Sequence, residues 1–174
     1  MSHFAAAVTR GAEGWAAAEL DLSGVADIEE ITDRLRDADP EASVSLLFVE
    51  SDDAYLAILR LDEGEDLRVF GSDAVFAEES RLGAILLGDV EEQLPDIADD
   101  TEPSGEDEED EEERTAAEPD VEPVGDAELL ADLGMSGGRL IELCAQEGML
   151  PADLTAEICQ AIGAGDEIEE LREA

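Results

Sequence analysis

The chain has 174 residues, of which 50 are acidic and 9 basic, giving a net charge of −41. All the basic residues are Arg, and they are scattered, which excludes the clustered Lys/Arg patch that phosphate-backbone binding needs. Anionic membrane surfaces repel such a chain for the same reason, leaving basic proteins or cations as the partners that charge favours.

The apolar share of 44% is enough for a packed core, but aromatics are only 3%, so that core has to be built from Leu, Ile, Val and Ala. In chain order, Phe4-Ala5-Ala6-Ala7-Val8 reads as a strand. Gly11-Ala12-Glu13-Gly14 follows as a tight turn, and Trp15 to Leu22 returns as a second strand. Ile28, Ile31 and Leu35 recur at helical spacing, with Asp27 as N-cap and Glu29 and Glu30 in the first turn. Val44 to Val49, Tyr55 to Leu61 and Leu67 to Phe70 predict three further strands, separated by the turns Ser51-Asp52-Asp53 and Asp62–Asp66. Glu50, Asp52 and Asp53 are expected at a solvated hairpin tip. Ser72 or Asp73 is expected to cap a helix running towards Leu87.

From residue 89 the composition changes. Residues 89–124 hold 18 acidic residues and one Arg, with Pro95, Pro103, Pro119 and Pro123 among them. Glu106 to Glu113 is an unbroken run of carboxylates. This segment has too little apolar surface to offset its ordering entropy and is expected to be a disordered linker. Beyond it, Leu129, Leu130 and Leu133 end at Gly134, and Ser136 caps a helix with Leu140, Ile141 and Cys144 on its apolar face. Pro151 opens another helix with Leu154, Ile158, Ala161 and Ile162 inward, and a last short helix holds Ile168 and Leu171. The fold class is therefore α+β. An N-terminal antiparallel sheet with two helices (β-β-α-β-β-β-α) fills 1–88, an acidic linker covers 89–124, and about four short helices make a small domain over 125–174. Acidity is general: the flanking parts carry net charges of −14 and −10. Bulk solubility or adaptation to a high-salt cytoplasm accounts for such a bias as well as a dedicated binding element does.

Chemistry is sparse. The one histidine, His3, has no Cys or acid at ligand spacing, and Cys144 and Cys159 form no Cys-x-x-Cys pair, so no metal centre is expected. Gly134-Met135-Ser136-Gly137-Gly138 lacks the Lys of a phosphate loop and joins two helices. Asp62-Glu63-Gly64-Glu65-Asp66 lacks the spacing of a calcium loop. No catalytic residue, cofactor or metal is assigned. The residues singled out for partner binding are Arg68, Phe70, Ser72 and Asp73, where a strand gives way to a helix, and Trp15, the only Trp. No secretory signal and no apolar run of membrane-spanning length is found, so a cytoplasmic location is expected. The oligomeric state is not fixed by these patterns.

Several stretches together resemble the tRNA adenosine deaminase-associated protein family of high-GC Gram-positive bacteria. They are Phe4-Ala5-Ala6 with Trp15 after a Gly, Leu47-Phe48-Val49-Glu50 with Asp52-Asp53 and Tyr55, and Arg68-Val69-Phe70 with Ser72-Asp73-Ala74. After the acidic gap come Leu130-Ala131-Asp132-Leu133-Gly134, Leu143-Cys144 and Gly148-Met149-Leu150-Pro151-Ala152-Asp153. The resemblance implies an accessory or regulatory protein without catalytic residues, with a tRNA adenosine deaminase as its partner. It does not imply that the chain is a deaminase. A zinc deaminase needs His-x-Glu and Pro-Cys-x-x-Cys, whereas His3 is followed by Phe4-Ala5 and the two cysteines are far apart. The alternative is a general acidic adaptor or a small-ligand sensor unrelated to tRNA modification.

Overall fold

A computed structural model describes residues 3–51, 55–63, 65–73, 76, 78, 80–87, 123–146 and 148–173. The expected linker up to residue 122, its carboxylate run Glu106–Glu113, and Asp52, Asp53 and Ala74 lie outside the described residues.

Six strands form one antiparallel sheet: β1 (His3–Gly11), β2 (Gly14–Glu19), β3 (Val44–Ser51), β4 (Tyr55–Asp62), β5 (Asp66–Gly71) and β6 (Val124–Gly125), in the order β2-β1-β3-β4-β5-β6. The α+β class, the β-β-α-β-β-β-α order and the later helices are as the sequence predicts. Gly11 and Gly14 face each other across the first turn. Helix α1 (Ile28–Ala38) starts where Asp27 caps it: the Asp27 carboxylate accepts from the Glu30 N–H at 3.0 Å, and the Glu30 side chain accepts from the Ala26 N–H at 2.7 Å. The first bond satisfies one of the helix's otherwise unpaired N–H groups, and the second ties the chain entering the helix to its first turn. Residues 81–87 form a second helix, α2.

After β6 come a 3-10 helix (Ala127–Leu133), α3 (Gly137–Ala145), α4 (Pro151–Ile162) and α5 (Gly165–Glu173). Ser136 caps α3 by accepting from the Arg139 N–H, Pro151 opens α4, and Gly134 ends the 3-10 helix at φ +123°. Gly163, at φ +102°, closes α4 in the left-handed region that a side chain would disfavour.

The two helices predicted with the sheet lie on one face of it, and the C-terminal helices cover the other. Ala5, Ala7, Leu47, Val49, Ala57, Leu59 and Val69 point to a layer made by Ile31 and Leu35 of α1 with Phe76, Leu82, Leu86 and Leu87. Ala6, Val8, Leu46, Phe48, Leu56, Ile58 and Phe70 point the other way, onto Leu129, Leu130, Leu140, Leu143, Leu154, Ile158 and Ile168 of the C-terminal helices. The reason is visible in β3 and β4. Each is buried at nearly every position and carries a continuous apolar run, Leu46–Val49 and Tyr55–Leu59, whereas an antiparallel strand exposed on one face would alternate apolar and polar residues. β6 is a finding with no sequence counterpart. Val124, assigned to the end of the linker, pairs with Gly71, and its side chain is buried in the α1 layer.

Candidate interaction surface

Two ion pairs fasten the C-terminal helices to the sheet. Arg60 is a charged residue in the apolar β4, and its side chain is 6% exposed on the face that meets these helices. Its guanidinium grips Asp132 with two hydrogen bonds (2.5 Å at NH1, 2.9 Å at NH2), donates from Nε to Asp62 at 3.0 Å, and donates to the Leu129 carbonyl. These bonds and charges hold Arg60 firmly protonated and keep the Asp132 carboxyl below its ordinary range, the Arg60 hydrogen bonds being the main cause. The second pair joins Glu50 on β3 to Arg172 on α5, and the Arg172 guanidinium lies 4.8 Å from the Phe4 ring centre. Glu50 is therefore not at a solvated hairpin tip, as its sequence neighbours suggest; it is 9% exposed and ion-paired. Neither clasp is foreseen from the sequence. The available signal is a lone charge inside an apolar strand, as at Arg60, since burying a charge is tolerated only with a partner.

The residues singled out for partner binding are separated. Arg68 is half exposed and lies 3.9 Å from Asp126. Phe70 is 1% exposed, in the core under the C-terminal helices. The Ser72 hydroxyl reaches across the sheet, where it accepts from the Leu56 N–H at 3.0 Å. Asp73 contributes its backbone carbonyl, which accepts from the Phe76 N–H. Trp15 sits on β2, with β1, β3 and β4 between it and β5, roughly 19 Å away at the usual strand spacing. Ile141, expected inward on α3, is 42% exposed because Leu140, Leu143 and Cys144 take the buried face.

Both thiols are free and buried, and burial pushes each up to about 12, far above the range where a thiolate forms at neutral pH. Among the described residues no group of three or more His, Cys, Asp or Glu side chains could hold a metal ion. His3 Nδ1 is 3.1 Å from the Ser51 hydroxyl. Among the described residues no helix is long and apolar enough to cross a membrane.

One surface is built differently from the rest. β2 is the outer strand of the sheet and, among the described residues, pairs only with β1. Its sequence, Gly-Trp-Ala-Ala-Ala-Glu, has neither the Lys nor the Pro that usually blunts a free edge. The Leu20 N–H bonds the Ala5 carbonyl at 2.8 Å, which sets the alternation along the hairpin. Ala18, Ala16 and Gly14 share the inward phase, whereas the N–H and C=O groups of Trp15, Ala17 and Glu19 point outward. α5 runs along this edge. Its start lies by Trp15, since a Cβ on Gly163 would be 3.5 Å from the indole nitrogen, and its end lies by Phe4, under Arg172. Asp166, Glu169, Glu170 and Glu173 of α5 are exposed. On the opposite face a hollow of about 100 Å³ runs between Ala16, Ala18 and Asp39 at the end of α1. Arg10 stacks over Trp15 at 5.8 Å, at the turn end of the hairpin.

No curated protein and no solved structure is significantly similar to the chain. A family comparison does match, over residues 3–165, and so spans the sheet, the helices on both of its faces and the first residue of α5. The chain belongs to the Rv3753c-like tRNA adenosine deaminase-associated protein family.

Proposed function

We propose that the chain is a non-catalytic accessory or regulatory protein that acts in the cytoplasm on a tRNA adenosine deaminase. The observation that carries this reading is the family match over residues 3–165, whose description names association with that enzyme. The chemistry is compatible with it. The zinc-deaminase signature is missing from the sequence, and the two cysteines are buried and protonated.

Charge supplies the mode of action. An enzyme that holds tRNA presents a basic surface to the phosphates. A chain of net charge −41, with the acidic segment 89–124 as its densest part, is drawn to that surface and competes with tRNA for it or screens it until tRNA arrives. Attraction of this kind weakens steeply with salt. The test is retention of purified deaminase on the immobilised chain at low and at moderate salt. Retention that falls as salt rises is expected, and no retention at either concentration defeats the reading.

The alternative, a small-ligand sensor, draws on a hollow of about 360 Å³ at the ends of β1 and β2, lined among others by His3, Phe4, Glu19, Leu20 and Asp21. Two of its polar side chains are engaged within the protein, His3 with Ser51 and Asp21 with Ser23, which reduces the groups left to fix a ligand's orientation.

A further inference from the structure

We infer that the β2 edge is the docking site for an extended, basic segment of the partner protein, which adds to the sheet as a seventh strand. The inference rests on the accessory reading above and says where on this chain the partner is held.

Three features argue for it. First, Trp15, Ala17 and Glu19 offer outward N–H and C=O groups in the regular spacing that an added strand reads through its own backbone. Second, the side chains alongside are small. Ala16 and Ala18 are exposed and flank the hollow that ends at Asp39, so among the described residues an incoming strand meets no bulky side chain of β2 on that face. Third, the charges flanking the edge decide what the strand carries. Glu13 and Glu19 are exposed at the two ends of β2, Asp39 lies across one face, and α5, packed on the other, exposes Asp166, Glu169, Glu170 and Glu173 against the single Arg172. Helix and sheet pack within about one Debye length, roughly 8–10 Å, so these carboxylates act on any strand docked there.

A second copy of this chain would bring the same carboxylates to the same edge, and like charges set against each other disfavour that pairing. A strand bearing Arg or Lys on alternate positions has no such conflict. Of the positive charges near the edge, Arg172 at the end of α5 is paired with Glu50, and Arg10 is held over Trp15 at the turn end, away from Glu19. The basic residues of the incoming strand therefore belong towards the Glu19 end.

The register supplies a selective perturbation. Proline is tolerated on an edge strand where the lost N–H faced outward, and Ala17 is such a position. Ala17→Pro keeps the β1–β2 ladder but removes a central outward donor and places a ring in the path of the added strand. The measurement is binding of purified tRNA adenosine deaminase to the full chain, wild type and Ala17→Pro, at low salt. Amide hydrogen exchange of the wild-type complex is followed in parallel. The expected result is a loss of affinity of tenfold or more in the variant. Newly protected amides are expected at Trp15, Ala17 and Glu19, while those of Ala16 and Ala18, already turned towards β1, change little. If the variant binds as tightly as wild type, or exchange at Trp15, Ala17 and Glu19 is unchanged on binding, the docking site is wrong while the accessory reading stands. If wild-type protein does not bind the deaminase at all, both are overturned. The exchange measurement uses the wild-type chain, so it decides the matter even if the variant fails to fold.

Discussion

Replacing Asp132 by Ala isolates the contribution of the Arg60 clasp. The wild-type guanidinium, 6% exposed, makes two charge-assisted bonds to Asp132, one to Asp62 and one to the Leu129 carbonyl. Bonds to charged groups contribute about 1.5–3 kcal/mol each when both partners are buried. Asp132 itself is 61% exposed, and water and salt screen its half of the pair, so the two bonds are worth far less than their sum. What remains is the loss suffered by a buried cation that keeps only Asp62 and a carbonyl, and a destabilisation of about 2 kcal/mol is expected. Equilibrium urea unfolding reads this directly, and it corresponds to a melting temperature lower by roughly 8 °C. Asp33→Ala is the control. The Asp33–Arg36 pair is as short, 2.6 Å, but exposed on both sides, so its loss changes stability by less than about 0.5 kcal/mol. The double variant Arg60→Met/Asp132→Ala should recover most of the loss, because no cation is left buried.

The pH dependence has a definite sign. Arg60 keeps the Asp132 carboxyl below its ordinary value of 3.8, so the clasp stabilises the fold fully at neutral pH. That stability is lost as pH falls below about 4 through the lowered folded value, and there the wild-type and Asp132→Ala curves converge. Equal stability of Asp132→Ala and wild type at pH 7 would refute the reasoning.

Other outcomes follow from the same geometry. Gly125 sits at φ +93°, and a Cβ there would lie 2.2 Å from the Val69 carbonyl oxygen, so Gly125→Ala should detach β6 and cost about 3 kcal/mol in a thermal melt; a variant as stable as wild type would contradict the β5–β6 pairing. Cys144 and Cys159, each pushed up to about 12, should resist a thiol reagent at pH 8 until denaturant is added, and rapid labelling of the native chain would contradict their burial. Residues 1–88 made alone should aggregate, because Leu46, Phe48, Leu56, Ile58 and Phe70 lose the helices that cover them; a soluble monomer with a cooperative melt would count against the shared core.

Much of the fold was legible in the sequence because it depends on local signals. Asp27, Ser136 and Pro151 mark helix starts by capping chemistry, Gly11 and Gly14 bracket the hairpin, and Ile31 and Leu35 fall on one helical face. The two-sided burial of the sheet was also written there, in the unbroken apolar runs Leu46–Val49 and Tyr55–Leu59, but reading it requires knowing that an antiparallel strand with one wet face would alternate. The clasps were not legible. Arg60 meets Asp132 and Glu50 meets Arg172 only through tertiary packing across the acidic segment, and no spacing rule joins residues so far apart. The Ser72 bond to the Leu56 N–H was not legible either, because it joins two strands through a tertiary contact. The β2 edge became visible only with the strand order, since a run of alanines after Trp15 does not say which side of the hairpin stays open.

The central claim is that this chain binds a tRNA adenosine deaminase through its acidic character and performs no chemistry of its own. Calorimetric titration of the purified enzyme with the full chain, repeated at rising salt and again with saturating tRNA, tests it most directly. Saturable binding that weakens with each increase in salt and is displaced by tRNA is the predicted result; no heat of binding at the lowest salt would contradict it.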